Sequence, residues 1–432
     1  MEDTTRVLQL RREIHRLRNS PSLRLGAHLT SAIRRPWRAP FLIVTLPLMM
    51  LKIGFELLGW VPQPSSLQTN ANGRPIVKGN CVVMFPTNGV GFGHFTRMLA
   101  LAKRMKKQDT NLEIIFFTTM PTLHLLKPYG IPAHHISGPK YFKGIDSEEW
   151  NMLLEEELNL CFEIHKPSMF IFDGAFPYRG MLRSIEGRSS LKKLWMRRGT
   201  FKKGSSVPVD SIRHFDTIIR PGDIEEPDYI VEESVENTMT SQPIVMLEDK
   251  DLLSKKMARS RLGIPQNSVV VYVQLGAGQI NDISSEIRMT LDELLKYENL
   301  HVVLGESMIG SRIDVELPNV HIIRDYPNSQ YFNGFDAVIQ AGGYNSFHET
   351  RVFGLPALFY PNMETGMDDQ LTRCNTAVTE GWGLVLRTRK KESIRKAINE
   401  LLTRNWKFEH ALPENGADML SAQLLQILGA GK

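Results

Sequence analysis

The chain reads as an α/β protein with two domains built on parallel sheets, preceded by a basic and then apolar helical extension. Three observations predict this. From residue 76 onward, short apolar runs alternate with amphipathic stretches, the pattern of βαβ units. The pattern resets around 240–265, so that each half opens with a strand running into a glycine loop. Residues 1–60 have a composition unlike the rest. At 432 residues the chain exceeds what one core organises, and 42% hydrophobic content excludes wholesale disorder. The three cysteines, Cys81, Cys161 and Cys374, form no CxxC, which argues against a zinc ribbon or a disulfide framework and for a reducing compartment. A net charge of +5 leaves room for anionic partners, and with no RNA-binding or zinc-finger pattern it gives no case for nucleic acid.

Residues 1–40 carry nine arginines against Glu2, Asp3 and Glu13 and form the basic helical extension. Residues 41–62 follow as an apolar membrane-associating segment. "FLIVTLPLMMLKIGFELLGW" has the roughly 20 residues that a bilayer span needs. It also holds Pro47, Lys52 and Glu56, and each central charge costs about 2.5–3.5 kcal/mol on insertion scales. A segment lying in the membrane interface is therefore the leading expectation, with a single span or a helix buried on the protein as alternatives. Either membrane reading puts the arginines at an anionic cytoplasmic leaflet, with Trp37 and Trp60 at the edges. Residues 63–75, rich in Pro, Ser, Asn and Gly, read as a linker.

The first domain is expected over 76–245, with strands at 76–86, 112–119, 169–174, 193–199 and 215–222. The second is expected over 246–395. "LEDKDLLSKKMARSRLGIP" reads as a helix ending at Gly263, followed by strands at 268–278, 301–307, 320–325, 336–343 and 356–361. Residues 396–432 read as C-terminal helices that pack back toward the first domain.

Three glycine loops follow strands: Gly89–Gly93, Gly276–Gly278 and Gly342–Gly343. A glycine there lets the backbone approach a ligand, and the next helix offers unpaired N–H groups and a positive dipole end. "GVGFGH" has GxGxG rather than GxGxxG spacing, and Thr118-Thr119 stand where a ribose-binding acid belongs, so a nicotinamide or flavin dinucleotide is disfavoured. A tight turn for strand–helix packing explains that loop equally well. In "AGGYNSFHETRVFG", Ser346 and Glu349 have capping-box spacing, and Gly354 and Pro356 stop the helix. A cap does not require Gly342-Gly343. A diphosphate held by the N–H groups from Tyr344 to Phe347 does, with Glu349 set to one side to accept hydrogen bonds from sugar hydroxyls. In "MDDQLTR", Asp369 and Gln370 offer acceptors and donors to hydroxyls, against helix capping by Asp368 or Asp369. Asp249-Lys250-Asp251 is a formal DxD, but it opens a predicted helix, so capping is preferred and no metal site is expected. The stretch 188–205, with seven basic residues and no acid, is either a solvated edge or a face toward anionic lipid or a phosphorylated acceptor.

"GVGFGHFTRMLALAKRM" followed by "DAVIQAGGYNSFHETRVFGLPALFYPNMETGMDDQLTRCNTAVTEGWG" resembles the GT-B-type glycosyltransferases, whose two Rossmann-like domains face a cleft. The pattern is nearest to the glucosaminyltransferase of peptidoglycan-precursor synthesis and the galactolipid synthases. It covers roughly residues 78–390. "NSPSLRLGAHLTSAIRRP" is more loosely similar to basic extensions of bacterial surface-polysaccharide transferases. The resemblance implies that Gly342, Gly343, Asn345 and Ser346 hold a donor diphosphate, that Glu349 binds ribose, and that Asp369 and Gln370 read the donor sugar. It implies that Gly276 and Gly278 line the other side of the phosphates. Gly91, Gly93 and Arg97 would form the acceptor-side loop. His94 is the candidate base, with Asp173 as the other base candidate or the partner that orients it. A histidine at the start of a helix can also simply bond to its own loop. Residues 130–210 match nothing in that family.

The expected activity is inverting, metal-independent transfer of a sugar from a nucleotide-diphosphate donor, UDP-sugar favoured. The acceptor would be a hydroxyl of a lipid-linked or polysaccharide molecule in bacterial capsule, wall-polymer or glycolipid synthesis, at the cytoplasmic side of the membrane. No cofactor is expected, since the nucleotide sugar is a substrate. The alternatives are a nucleotide-sugar epimerase on the same fold and a non-catalytic nucleotide-sugar-binding or anchoring partner of another transferase.

Overall fold

Val82, Val83, Met84 and Phe85 are wholly buried in succession, as in a strand covered by helices on both faces. They form β1 (Cys81–Pro86), the centre of the first sheet in the computed structural model of the protein. The structure describes residues 17, 19–58, 60, 81–87, 91–142, 144–197, 211–224, 238–276, 283–309, 312–365, 368–406, 408 and 414–430. The expected linker, residues 1–16 and 18 of the arginine-rich start, Gly89 and Gly278 lie outside these residues.

Around β1 stand β2 (Glu113–Thr118), β3 (Ala133–His135), β4 (Met169–Asp173), β5 (Lys192–Met196), β6 (Thr217–Pro221) and β7 (Thr238–Ser241), in the order β3-β2-β1-β4-β5-β6-β7. The second sheet contains β8 (Val269–Gln274), β9 (Leu300–Gly305), β10 (Val320–Ile323), β11 (Ala337–Gln340), β12 (Ala357–Phe359) and β13 (Gly383–Val385), in the order β10-β9-β8-β11-β12-β13. Every pairing is parallel; β1 sets Met84 against Phe116 and Ile171, and β8 sets Tyr272 against Val303 and Val338. In each sheet the strand order reverses beside the first strand, between β1 and β4 and between β8 and β11. At such switch points the loops leaving the strand ends diverge and open a crevice. The sheets are thus two Rossmann-like layers, as the sequence predicts.

Helices cover them. In the first half these are α3 (Gly93–Gln108), α4 (Ser147–His165) and α5 (Arg179–Ile185), after an extension of α1 (Pro21–Arg34), a 3-10 turn (Pro36–Phe41) and α2 (Leu42–Leu57). In the second half they are α6 (Lys255–Leu262), α7 (Ser284–Leu294), α8 (Tyr344–Val352), α9 (Gln370–Thr379) and α10 (Lys391–Thr403). Ile394, Ile398 and Leu401 of α10 join the core of the second sheet. The last helix, α11 (Gly416–Ala430), puts Leu420 and Leu424 into the core of the first, with Met98 and Leu101 of α3.

The structure departs from the sequence reading in two ways. The helix expected over 247–265 is broken: Glu248 and Asp251 cap each other around a 3-10 turn, Leu252 is extended, and Ser254 starts a new helix by accepting from the Met257 N–H at 3.3 Å. Two capping sequences in series make two short helices. Strands β3, β7 and β13 were not expected. Each has three or four residues, too few to carry a periodicity, and each sits at the outer part of a sheet where a neighbour's ladder recruits it.

Candidate active site

Both switch points open onto one cleft of about 540 Å³. From the first sheet it is lined by Gly91, Gly93, His94 and Arg97, and from the second by Gly276, Gly343, Asn345, Ser346, Glu349 and Gln370. Residues nominated on either side of the domain border therefore meet in space. The loops also touch, since Asn345 Nδ2 donates to the Gly93 carbonyl at 3.3 Å.

On the first side, Asp173 ends β4 and is completely buried. His94 Nδ1 lies 2.7 Å from Asp173 Oδ1, and Arg97 donates to the same carboxylate through Nε at 3.1 Å and Nη2 at 2.7 Å. His94 and Arg97 are one turn apart on α3, so both reach the acid from one helix face. Burial alone would raise the Asp173 carboxyl, but Arg97 and then His94 overcome this and hold it below the usual carboxylate range. With Nδ1 protonated, His94 donates a hydrogen bond to the ionised Asp173, which fixes the imidazole ring on the cleft wall; Arg97 Nη2 also lies 3.0 Å from Nδ1.

On the second side, the paired glycines do different things. A Cβ on Gly342 would lie 2.2 Å from Cys374 Sγ, so this glycine is what lets α9 pack close. Gly343 has nothing within 4 Å of a notional Cβ and faces the cleft as the extended N-cap of α8. Tyr344, Asn345 and Ser346 occupy the first turn, where N–H groups have no intrahelical acceptor. Asn345 Oδ1 and Gln340 Oε1, both on the cleft wall, are buried without a hydrogen-bond partner. Gly276 adopts φ +108°, which its loop requires to be glycine.

The capping box expected from Ser346 and Glu349 does not form. Because α8 begins at Tyr344 with Gly343 as its cap, both residues sit inside the helix. Glu349 is half-buried on the cleft wall, accepts from Ser329 Oγ at 3.1 Å, and is pushed up by burial to about 7. Asp369 caps α9, accepting from Thr372 N at 3.0 Å and Thr372 Oγ1 at 2.8 Å, and does not line the cleft; Asp368 and Gln370 do. Gln370 Oε1 accepts from Asn362 N at 2.9 Å. Asp251 of the DxD accepts from Lys103 Nζ at 2.7 Å, outside the cleft. In the basic stretch 188–205, Arg188 binds Asn159 Oδ1 and Arg197 covers the Trp195 ring, while 198–205 lie outside the described residues.

Several residues here escaped the sequence reading. Asp223, past the end of β6, accepts from Arg373 Nη2 at 2.7 Å and His348 Nε2 at 3.0 Å. Burial would raise its carboxyl, but Arg373 above all, with His348, drives it well below the ordinary value. Arg373 also donates to the Gly342 carbonyl at 2.9 Å and to Asp368 at 2.8 Å. Tyr344 donates to the Gly222 carbonyl at 2.9 Å and accepts from Ile244 N at 3.0 Å, and Arg97 lies 5.0 Å from its ring centre. Thr96 and Tyr326 meet across the cleft at 2.9 Å. A lone Asp223 in an acid-rich loop gives no local sign of this burial. Among the described residues, His134, Cys161 and His165 form one group with metal-ligating side chains; it lies on β3 and α4, away from the cleft.

Comparison with solved structures agrees with this architecture. The chain superposes on MurG of Acinetobacter baumannii with a TM-score of 0.53 at 13% identity, covering 80% of this chain and 99% of that one. It superposes on the calicheamicin glycosyltransferase CalG4 with a TM-score of 0.54 at 16% identity, over 82% and 98%. Medicago truncatula UGT71G1, solved with UDP-glucose, gives a TM-score of 0.54 at 15% identity, over 81% and 98%. No family model matches the chain, and no curated protein sequence does. The likeness is one of fold: the chain has the two-domain GT-B architecture of these glycosyltransferases.

Two outcomes follow. Gly342→Ala loses about 1–3 kcal/mol in denaturant unfolding because its Cβ meets Cys374, whereas Gly343→Ala stays within about 0.5 kcal/mol of the parent. A Glu349 carboxyl raised from 4.5 to about 7 binds its proton more tightly folded than unfolded, so it contributes stability at low pH that is lost as pH rises through 7. Melting temperature between about pH 5 and 8 should therefore fall more steeply in the parent than in Glu349→Gln.

Proposed function

We propose that the chain is a glycosyltransferase that moves a sugar from a nucleotide-diphosphate donor to an acceptor hydroxyl, with inversion and without a metal or cofactor. The observation that carries this reading is the meeting, in one cleft, of a carboxylate-held histidine and the open N-terminus of α8 with Glu349 beside it. The donor diphosphate lies against the N–H groups of Tyr344, Asn345 and Ser346, with Gly343 leaving room and Gly276 opposite. Glu349 accepts hydrogen bonds from ribose hydroxyls. Gln370 and Asp368 face the sugar, a role that Asp369, spent on capping, is less suited to fill. UDP is the favoured nucleotide, in keeping with UGT71G1, which was solved with UDP-glucose.

In the proposed step the acceptor oxygen attacks the anomeric carbon and the bond from that carbon to the diphosphate oxygen breaks. The acceptor proton passes to His94 Nε2, and the positive end of α8 stabilises the departing diphosphate. Asp173 orients the ring through Nδ1 and stabilises the imidazolium, as its complete burial favours over a direct role as base. Arg97 keeps that acid ionised. Gly91 and Gly93 shape the acceptor side. The acceptor is proposed to be lipid-linked or polymeric, and the enzyme to work at the cytoplasmic side of a membrane held by residues 17–60, with bacterial surface-polysaccharide or glycolipid synthesis as the setting.

A ligand-detected binding screen of nucleotide sugars, followed by an assay for free nucleotide with and without membrane extract, tests the proposal. Binding of a nucleotide sugar and release only with extract are expected; conversion of the sugar without release would overturn transfer in favour of epimerisation. His94→Ala and Asp173→Asn should each lower kcat by about 10²–10⁴ while nucleotide affinity holds. Near-normal turnover in His94→Ala would remove it as the base.

A further inference from the structure

Pro36 to Leu57 is a continuous helical stretch of 22 residues whose most apolar window has a mean hydropathy of 1.7 and is only 11% buried. By length alone it could cross a bilayer. The way its ends are held argues otherwise. Glu56, near the end of α2, is 4% exposed and is gripped by Arg24, near the start of α1, through Nη1 at 2.5 Å and Nη2 at 3.2 Å. His28 Nε2 meets Thr45 Oγ1 at 2.9 Å. These pairs fold α1 and α2 into an antiparallel hairpin. Its root is fastened to the first domain, where Ser22 donates through N and Oγ to Glu163 of α4 at 3.1 and 2.8 Å.

Because the hairpin is held as a unit, α1 must go wherever α2 goes. At 14 residues α1 is about 21 Å long, short of a hydrocarbon core of about 30 Å, and it carries Arg24 and His28. Standing the hairpin across the bilayer would also carry Arg34, Arg35 and Arg38, exposed around its turn, to the far side, against the retention of basic residues on the cytoplasmic side. Laid flat, the hairpin has none of these difficulties. Ile33 and Ile43 are 78% and 81% exposed and offer apolar surface, and Trp37 and Trp60 are 68% and 73% exposed. The arginines at the turn then reach lipid phosphates.

We infer that the α1–α2 hairpin is a monotopic device that lies along one leaflet of an anionic bilayer, with its turn and its root on the same side. This rests on the membrane reading above and adds the geometry. Lipid is chosen over a second copy of the chain by charge. The one acid between residues 17 and 60 is Glu56, already paired with Arg24, so a facing copy would set arginine against arginine.

The test uses the full chain with phosphatidylcholine vesicles, with and without phosphatidylglycerol. Flotation should show binding to the anionic vesicles. The double variant Ile43→Glu/Leu48→Glu should weaken it roughly tenfold or more. Replacing Arg34, Arg35 and Arg38 by Gln should weaken binding to anionic vesicles roughly tenfold to hundredfold and leave neutral ones unchanged. With lipids brominated near the headgroup or near the chain end, Trp37 and Trp60, isolated by comparison with Trp37→Phe and Trp60→Phe, should be quenched best by the shallow label. Best quenching of Trp37 by the deep label, or reaction of Arg35→Cys from inside sealed vesicles, would overturn the flat geometry and leave membrane binding standing. No vesicle binding, with a dimer that Ile43→Glu/Leu48→Glu dissociates, would overturn both.

Discussion

The buried pair of Asp223 and Arg373 is the contact on which the cleft depends. Asp223 follows the first sheet's β6, Arg373 belongs to α9 of the second, and both are almost fully excluded from water. A charge in that position is tolerable only while its partner is present, and removing one member of such a pair typically costs about 3–5 kcal/mol. Arg373 then spends its remaining donors on Asp368 and on the carbonyl of Gly342. One guanidinium thereby ties the segment after β6 to α9 and to the backbone turn at the mouth of α8. Tyr344 reinforces it, reaching the Gly222 carbonyl in the segment that carries Asp223.

With the halves so placed, the chemistry divides between them. The first sheet ends in a carboxylate, an arginine and a histidine, a set suited to holding and moving a proton. The second ends in an open helix terminus with a carboxyl of raised affinity for protons one turn further on, a set suited to phosphate and hydroxyl groups. Neither is a site alone. The contact of Asn345 with Gly93 and that of Thr96 with Tyr326 show how closely the two edges approach. The hairpin of residues 21–57 hangs from α4, so it is held to the half that carries His94 and Asp173.

Legibility in the sequence followed the strength of local signals. Runs such as "CVVMF" and "VVYV" (270–273) are buried on both faces in a parallel sheet, and a run of that kind announces itself without a partner. "AHH", "TMTS" and "GLV" are strands because neighbours hydrogen-bond to them, and their own residues carry no such message. The Ser346–Glu349 spacing has a local meaning, a cap, that the fold overrides by starting α8 three residues earlier, at Tyr344 with Gly343 as its cap. Glu349 stands out by its position in the chain, whereas the Ser329 hydroxyl beside it comes from 20 residues away, beyond the reach of any local pattern. Of the two glycines, one serves the cleft and the other serves Cys374, a division invisible in the letters themselves.

The sequence by itself determined the two α/β series, the glycine loops at their strand ends, the apolar extension and the nomination of His94, Asp173 and Glu349. These are written in periodicity and in residue chemistry, which act over one or two turns of chain. The tertiary structure alone decided that the loops face one another, that Asp173 is sealed behind Arg97 and His94, that Asp369 caps a helix, and that Glu56 is clamped to Arg24. Each of those outcomes is a matter of burial and of charges brought together from distant parts of the chain, and desolvation is a property of the folded surroundings that no short stretch of residues can encode.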